Sequence, residues 1–238
     1  MPNPLEPPFH LDNYTPADEA TEESFSSHFE ISQDMLGTLA EHHTADGRHS
    51  YLVLHDGTVT WGHPGLPQLV ALHLERDTET ETFTFEHKAF PLPAMAQSWL
   101  ISRGCPREAT VLPEGIGTDQ ADATTTELHE RLMGDGDHFA YLDSYTHDMS
   151  NPCVTTVLLR HDDENDPQPF RVVVETADTD TWTHTLREGA FDTYEAALTW
   201  LRSGDTPLPP PPLAPRTTTS QALPPRAPST VPPRGQRR

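Results

Sequence analysis

The chain has 238 residues, a formal net charge of −22 and a hydrophobic content of 34%, which allows one large domain or two small ones. Nucleic-acid binding needs Lys and Arg to neutralise phosphates, and Lys88 is the single lysine, so composition argues against it. No apolar run approaches about 18 residues and no signal peptide is evident, so we expect a cytoplasmic protein without a membrane span.

The first predicted elements follow an acidic segment with several prolines. This segment, residues 1–24, is expected to pack loosely. An alternation of apolar and polar residues then predicts a short strand over residues 25–31. Ser32 can cap a helix, and the spacing of the apolar residues after it predicts a helix that ends near His42.

Four strands and a closing helix are predicted next. The Asp56-Gly57 pair is a strong signal for a hairpin between the first two of these strands. Threonines at alternate positions of the fourth strand are typical of a solvated β surface. The predicted strands span residues 51–55, 58–61, 69–75 and 80–87, and the predicted helix spans residues 92–103.

The second half of the chain repeats this order. The segment from Pro67 to Glu75 returns from Pro167 to Glu175, an offset of 100 residues, and an internal repeat determines architecture. The predicted elements are a strand near residues 110–112, a helix over 124–133, strands near 139–145, 154–161, 170–176 and 181–187, and a helix over 194–202.

The sequence therefore predicts an α+β fold made by tandem duplication of a β-α-β-β-β-β-α unit. Repeat unit 1 spans residues 25–105, and repeat unit 2 spans residues 106–205. We expect antiparallel sheets with helices on one face and solvent on the other. Equivalent strands should carry Val70, Leu72 and Leu74 in one copy and Phe170, Val172 and Val174 in the other. The strand order resembles that of TATA-binding-protein-like, helix-grip domains, which are also tandem pairs; the analogy concerns topology alone.

Two segments, residues 50–57 and 189–198, carry a further resemblance. Both are similar to segments of an actinobacterial family of uncharacterised proteins with a duplicated core. The resemblance implies a bacterial, cytoplasmic setting. It implies no activity and no functional residue.

From residue 206 the composition changes. Residues 206–238 are rich in proline, hold five arginines and lack acidic residues, so we expect a disordered tail with polyproline II character. Three short Pro/Arg motifs end at Arg216, Arg226 and Arg234, which we predict to bind a partner. An inert extension and a tether that folds back onto the acidic body are the alternatives.

No catalytic, cofactor or metal site is predicted. The histidines are numerous, but none lies in a recognised metal-binding motif, and Cys105 and Cys153 lack metal-ligand spacing. His63 and His161 lie at matching strand ends, so a duplicated metal site remains an alternative.

The four tryptophans divide into two pairs. Trp99 and Trp200 lie at matched positions of the two closing helices, where tryptophan most often packs against a sheet. Trp61 and Trp182 lie on predicted strands. Because tryptophan is common in binding hot spots, these two residues are predicted to anchor a protein partner.

These observations predict a non-enzymatic module that binds or regulates a protein partner through an acidic surface, with the Pro/Arg tail as an auxiliary arm. One alternative is a nucleic-acid mimic that antagonises a DNA-binding protein. Another is a metal-dependent hydrolase that uses His and Asp at a strand end. A contiguous acidic stripe favours the mimic, a tight His/Asp cluster favours the hydrolase, and scattered charges favour a general binding module.

Overall fold

The structure, a computed structural model, describes residues 7–59, 65–134, 139–163, 165–203 and 207–210. It has an α+β fold with two five-stranded mixed sheets, one from each half of the chain. The order strand, helix, four strands, helix occurs in both halves, which confirms the predicted tandem duplication. Within these residues no helix is both long enough and apolar enough to cross a membrane.

Sheet 1 is formed by the first half. Its strands are β1 (Thr15–Pro16), β2 (Leu36–His43), β3 (His49–Asp56), β4 (Leu69–Asp77) and β5 (Thr82–Phe90). Its helices are α1 (Glu19–Phe25), which continues into a π-helical turn at Ser26–Glu30, and α2 (Pro93–Ile101). The strand order is β1-β5-β4-β3-β2, with β1 parallel to β5 and the other neighbours antiparallel.

Sheet 2 is formed by the second half and has the corresponding order β6-β10-β9-β8-β7. Its strands are β6 (Asp119–Gln120), β7 (Phe139–His147), β8 (Cys153–His161), β9 (Phe170–Asp178) and β10 (Thr183–Phe191). Its helices are α3 (Ala123–Gly134) and α4 (Tyr194–Ser203).

Helices α2 and α3 lie together between the two sheets. Their buried side chains form one hydrophobic cluster with the facing sides of both sheets. Helix α1 and the segment before it cover the other side of sheet 1, while α4 covers the other side of sheet 2. Each sheet is therefore packed on both faces, and the predicted solvated face is wrong.

Strand pairing places equivalent residues of the two units one position further apart than the repeated sequence segment suggests. Leu69 pairs with Phe90 in sheet 1, and Phe170 pairs with Phe191 in sheet 2, so equivalent residues are 101 positions apart. Strands β4 and β9 are equivalent, as predicted. However, successive side chains of a strand point to opposite faces, so residues matched at an offset of 100 lie on opposite faces.

The duplication extends to the hairpin turns. Asp77 accepts hydrogen bonds from the backbone N–H groups of Glu79 and Thr80, and Asp178 accepts the equivalent pair in sheet 2. Each turn also contains a non-glycine residue in the left-handed region, with φ of 54° at Glu81 and 52° at Trp182. The two hairpins are thus built by the same local chemistry.

The first two elements of unit 1 were predicted wrongly. Phe25 and Phe29 belong to helical turns, and the predicted helix up to His42 is mostly strand β2. A β-bulge between Thr38 and Ala40 interrupts the alternation of β2 and leaves its apolar residues with helix-like spacing. The predicted unit boundaries at residues 25 and 106 stay predictions, although the elements of sheet 1 begin at Thr15.

The hairpin predicted at Asp56-Gly57 is also wrong. The chain forms a 3₁₀ turn over Gly57–Val59 after β3, and the strand that follows in sheet 1 is β4. The Asp56 side chain accepts hydrogen bonds from the backbone N–H and the hydroxyl of Thr58, which stabilises this turn instead of a hairpin.

The N-terminal segment packs tightly against sheet 1, contrary to the prediction. Phe9 is 8% exposed and contacts the rings of Phe25 and Phe29. The buried Arg76 of β4 donates hydrogen bonds to the carbonyl oxygens of Phe9, at 2.5 Å, and His10, at 3.2 Å. Because Arg76 and Phe9 are 67 residues apart, no local sequence pattern predicts their contact.

The start of the predicted tail is also packed. Residues 207–210 run along β10, where the Ala190 N–H donates to the Pro209 carbonyl. A Cβ at Gly189 would lie 2.6 Å from a methyl carbon of Leu208, so a larger residue there requires the Leu208 segment to shift. The expectation of disorder is wrong for these four residues; Arg216, Arg226 and Arg234 lie outside the described residues.

The tryptophans of the closing helices pack in matching ways. Trp99 lies 6.4 Å from Phe90 and Trp200 lies 6.4 Å from Phe191, measured between ring centroids. Both tryptophans are half-buried against their hydrophobic clusters. Their role is consistent with a structural wedge between helix and sheet.

Candidate functional site

A cleft with a volume of about 590 Å³ opens between the two sheets. Helix α2, helix α3 and the loop of residues 111–118 form its walls, and strands β7 to β10 contribute its polar floor. This volume lies within the range of small-molecule sites, roughly 300–1,000 Å³. We call it the inter-sheet cleft.

The floor of the inter-sheet cleft is a row of polar residues on adjacent strands. Thr146 pairs with Thr155, and Thr155 pairs with Glu175. The two threonine hydroxyls lie 3.2 Å apart and are buried. Directly opposite residues on neighbouring strands share one face of the sheet, so all three side chains face the cleft.

Glu175 occupies a position that is hydrophobic in the first copy. Its equivalent at an offset of 101 is Leu74, which is fully buried on sheet 1. The offset of 100 instead matched Glu175 with the exposed Glu75 and concealed the difference. A carboxylate at a core position is the main functional signal that sequence reasoning missed.

The Glu175 carboxyl has no partner among the residues that the structure describes. Burial raises its pKa to about 7, with no opposing charge nearby. Burial also raises the pKa of the neighbouring Cys153 thiol, to which Glu175 contributes a further rise. The cleft floor thus combines a carboxyl group that titrates near neutral pH with an uncharged thiol.

A second acceptor in the cleft also lacks a partner. Gln97 of α2 is 2% exposed, and its side-chain N–H donates to the Thr110 carbonyl at 2.7 Å. Its Oε1 is buried without a hydrogen bond from any described residue. Buried polar atoms in folded proteins are almost always paired, so this oxygen has unused bonding capacity beside the cleft.

The histidines of the cleft do not supply positive charge. Burial lowers the pKa values of His55, His129 and His184, so all three are mostly neutral at pH 7. His184 is held by Thr118, whose carbonyl and hydroxyl oxygens each lie 3.0 Å from its Nδ1. No Lys or Arg lines the cleft within the described residues.

Replacing Glu175 with glutamine should stabilise the protein at alkaline pH. An unfolded glutamate ionises near 4.5, whereas the folded Glu175 holds its proton until about pH 7. Stability therefore falls as pH rises between these values, because the folded state binds more protons. We expect Glu175→Gln to raise the free energy of unfolding by about 2–3 kcal/mol at pH 8 and by little at pH 4.

Urea denaturation of both proteins at several pH values measures this difference. Glu175 is partly exposed to solvent in the cleft. Because solvent lowers the cost of ionising it, we expect a change in the free energy of unfolding near the lower end of the 2–3 kcal/mol range, about 2 kcal/mol. A constant difference between the variant and the original protein from pH 4 to pH 8 would contradict the assignment of this pKa.

A second candidate surface lies around α1. Glu22, Glu23 and Glu30 are exposed beside Ile31, which is 76% exposed. We call these four residues the α1 surface. No Lys or Arg precedes residue 48 in the chain, so no lysine or arginine from this part of the sequence neutralises its glutamates.

The residues predicted to bind a partner are not brought together by the described structure. Trp182 is 60% exposed at the tip of the β9–β10 hairpin, and its carbonyl accepts the N–H of Asp119. Trp61 lies outside the described residues, as do the three arginines of the tail. The exposure of Trp182 is compatible with a role as an anchor, which stays a prediction.

The histidines singled out by sequence fall into different settings. His161 lies 3.4 Å from Asp166, which belongs to an ion-pair network around Arg171. His63 lies outside the described residues. In the part of the chain that the structure covers, no group of three or more His, Cys, Asp or Glu side chains is arranged to hold a metal ion. Cys105 and Cys153 are free thiols.

Comparison with protein-family models, with curated proteins and with solved structures found no match to this chain.

Proposed function

We propose that the protein is a non-enzymatic binding module whose α1 surface holds a basic, amphipathic segment of a protein partner. The observation that carries this proposal is the exposure of Ile31 beside a rim of carboxylates. Protein interfaces commonly combine an apolar centre with a polar rim. The acidic rim selects a partner of opposite charge and speeds its association.

The mixed character of this surface separates it from the two alternatives. A nucleic-acid mimic needs carboxylates in place of phosphates, whereas the exposed Ile31 suits an apolar side chain of a protein. A metal-dependent hydrolase needs converging ligands, which the described residues do not group together. Protein binding is therefore the preferred function, in a cytoplasmic setting.

The Pro/Arg tail is proposed as an auxiliary arm. It carries the five arginines of residues 206–238 and lacks acidic residues, so its charge complements the acidic body. Because it belongs to the same chain, it can also compete with a partner for the α1 surface. The motifs that end at Arg216, Arg226 and Arg234 are proposed to supply the arginines that contact the partner or the α1 surface.

A defined peptide tests the proposal. The probe is a synthetic amphipathic helix of leucine and arginine, titrated against the full chain by fluorescence anisotropy. We expect the triple variant Glu22→Gln, Glu23→Gln, Glu30→Gln to weaken binding at least tenfold, because the desolvated rim loses its opposing charges. Ile31→Ala should weaken it about fivefold by removing the apolar anchor.

The matched control neutralises three exposed glutamates elsewhere, Glu79, Glu127 and Glu195, and changes the net charge equally. This control should alter the affinity less than threefold at about 0.15 M salt, where charges beyond roughly 8 Å are screened. Equal losses in both triple variants would show non-specific attraction to net charge and would overturn the proposal. Removing residues 211–238 should strengthen probe binding if the tail competes.

A further inference from the structure

We propose that the inter-sheet cleft binds a small organic cation, a protonated amine or amidine on a hydrophobic body, with the Glu175 carboxylate as its counter-ion. This ligand site goes beyond the proposed function, because the α1 surface lies on the opposite side of sheet 1 from the cleft.

The shape and lining of the cleft suit a ligand with a hydrophobic body. Its volume of about 590 Å³ accommodates a molecule of several carbon atoms or rings. Apolar side chains from α2, α3, β10 and the loop of residues 111–118 line its walls: Leu92, Leu112, Ile116, Met133 and Leu186. Burial of apolar surface against these walls supplies affinity without specificity.

The charge of the cleft selects a cation. Its carboxylates belong to Glu175 on the floor, to Glu114 and Asp119 near the loop, and to Glu130, which Arg107 neutralises. With mostly neutral histidines and no lining Lys or Arg among the described residues, the charged groups of the lining favour a cation over an anion. A buried charge is stable when it is paired, so a bound cation would relieve the isolation of Glu175.

The hydrogen-bonding capacity of the cleft points to a ligand with several donors. The Glu175 carboxylate and the Gln97 Oε1 can both accept hydrogen bonds, but neither has a donor among the described residues. An ammonium or amidinium group supplies two or more N–H donors. A neutral alcohol supplies one donor and no charge, so it should bind less tightly.

Proton exchange at Glu175 should couple ligand binding to pH. The other titratable groups around the cleft are His55, Glu114, Asp119, His129, Glu130, Cys153 and His184. Burial lowers the pKa of each of these histidines and raises that of Cys153, so the three imidazoles and the thiol are mostly neutral between about pH 6.5 and pH 8. An increase in cation affinity over this interval therefore reports ionisation of Glu175.

The experiment titrates the ¹⁵N-labelled full chain with benzylammonium, and separately with the matched neutral probe benzyl alcohol. Amide shifts are followed by NMR at about pH 6.5 and pH 8. We expect benzylammonium to shift residues of the cleft with a dissociation constant on the order of 1 mM, as its few heavy atoms allow. Benzyl alcohol should bind about tenfold more weakly, and the benzylammonium affinity should rise with pH.

Two glutamate variants separate Glu175 from bulk charge. Glu175→Gln should lose about tenfold in benzylammonium affinity and its pH dependence, while its spectrum shows a folded protein. Glu195→Gln, at an exposed position on α4, makes the same chemical change away from the cleft and should leave binding unaltered. Gln97→Leu should weaken binding by removal of the second acceptor.

Several results would overturn the proposal. These are equal affinity for the cation and the alcohol, unchanged binding in Glu175→Gln, amide shifts confined to other surfaces, or no shift at about 10 mM benzylammonium. None of these outcomes bears on the α1 surface, which the peptide titration tests separately.

Discussion

Replacing Arg171 with methionine should lower the free energy of unfolding by about 3–5 kcal/mol, the cost of leaving the buried Asp166 carboxylate without its arginine partner. The Arg171 guanidinium lies 2.5 Å from the Asp166 carboxylate and 3.4 Å from that of Glu188. The three side chains are 8%, 9% and 7% exposed, respectively. Water therefore cannot replace the lost guanidinium, and urea denaturation should show the loss.

The control for this prediction is Arg187→Met. Arg187 also lies 2.5 Å from a carboxylate, that of Asp122, but these side chains are 46% and 38% exposed. An exposed pair contributes little, so this change should cost less than about 1 kcal/mol. Adding Asp166→Asn to Arg171→Met should recover most of the stability, since Glu188 keeps its ion pair with Arg131. Equal costs in the two arginine variants would show that burial does not determine the effect.

Phe29→Ala should lower the free energy of unfolding by a similar amount, about 3–5 kcal/mol, through loss of a buried ring and the cavity left behind. Phe29 is 1% exposed and lies 5.6 Å from Phe85 and 5.3 Å from His87, measured between ring centroids. Urea denaturation again measures the effect.

Ile31→Ala is the matched control for Phe29→Ala, two residues further along the same segment. Ile31 is 76% exposed, so its truncation should change stability by less than about 0.5 kcal/mol. A loss below about 1 kcal/mol in Phe29→Ala would mean that residues 7–30 contribute little to the core of sheet 1.

The sequence was most informative where patterns are local and repeated. Alternating apolar residues and their recurrence identified strands β4, β5, β9 and β10, and the helical stripes identified α2 and α4. The first strand and helix were missed because the prolines and acidic residues before Phe25 suggested a loose segment. Their position is determined by Arg76 and by the aromatic cluster around Phe9, which are contacts distant in sequence.

The inter-sheet cleft was beyond sequence reasoning for a related reason. It exists because α2 and α3 hold two sheets apart, and no local pattern reports that spacing. Sequence comparison could have identified Glu175, because its equivalent in the first copy is Leu74. However, the repeated segment from Pro67 to Glu75 indicated an offset of 100 residues, one fewer than the strand pairing shows. In a strand, an error of one residue exchanges the two faces.

The shared layer of α2 and α3 means that the two units pack head to tail. The closing helix of unit 1 and the opening helix of unit 2 lie on non-equivalent faces of their sheets, and such a contact does not close on itself. Stacked repeats of this kind need terminal faces that discourage further addition. The carboxylates around α1 and residues 207–210 beside α4 lie at those two ends, so we expect them to discourage the addition of a third unit.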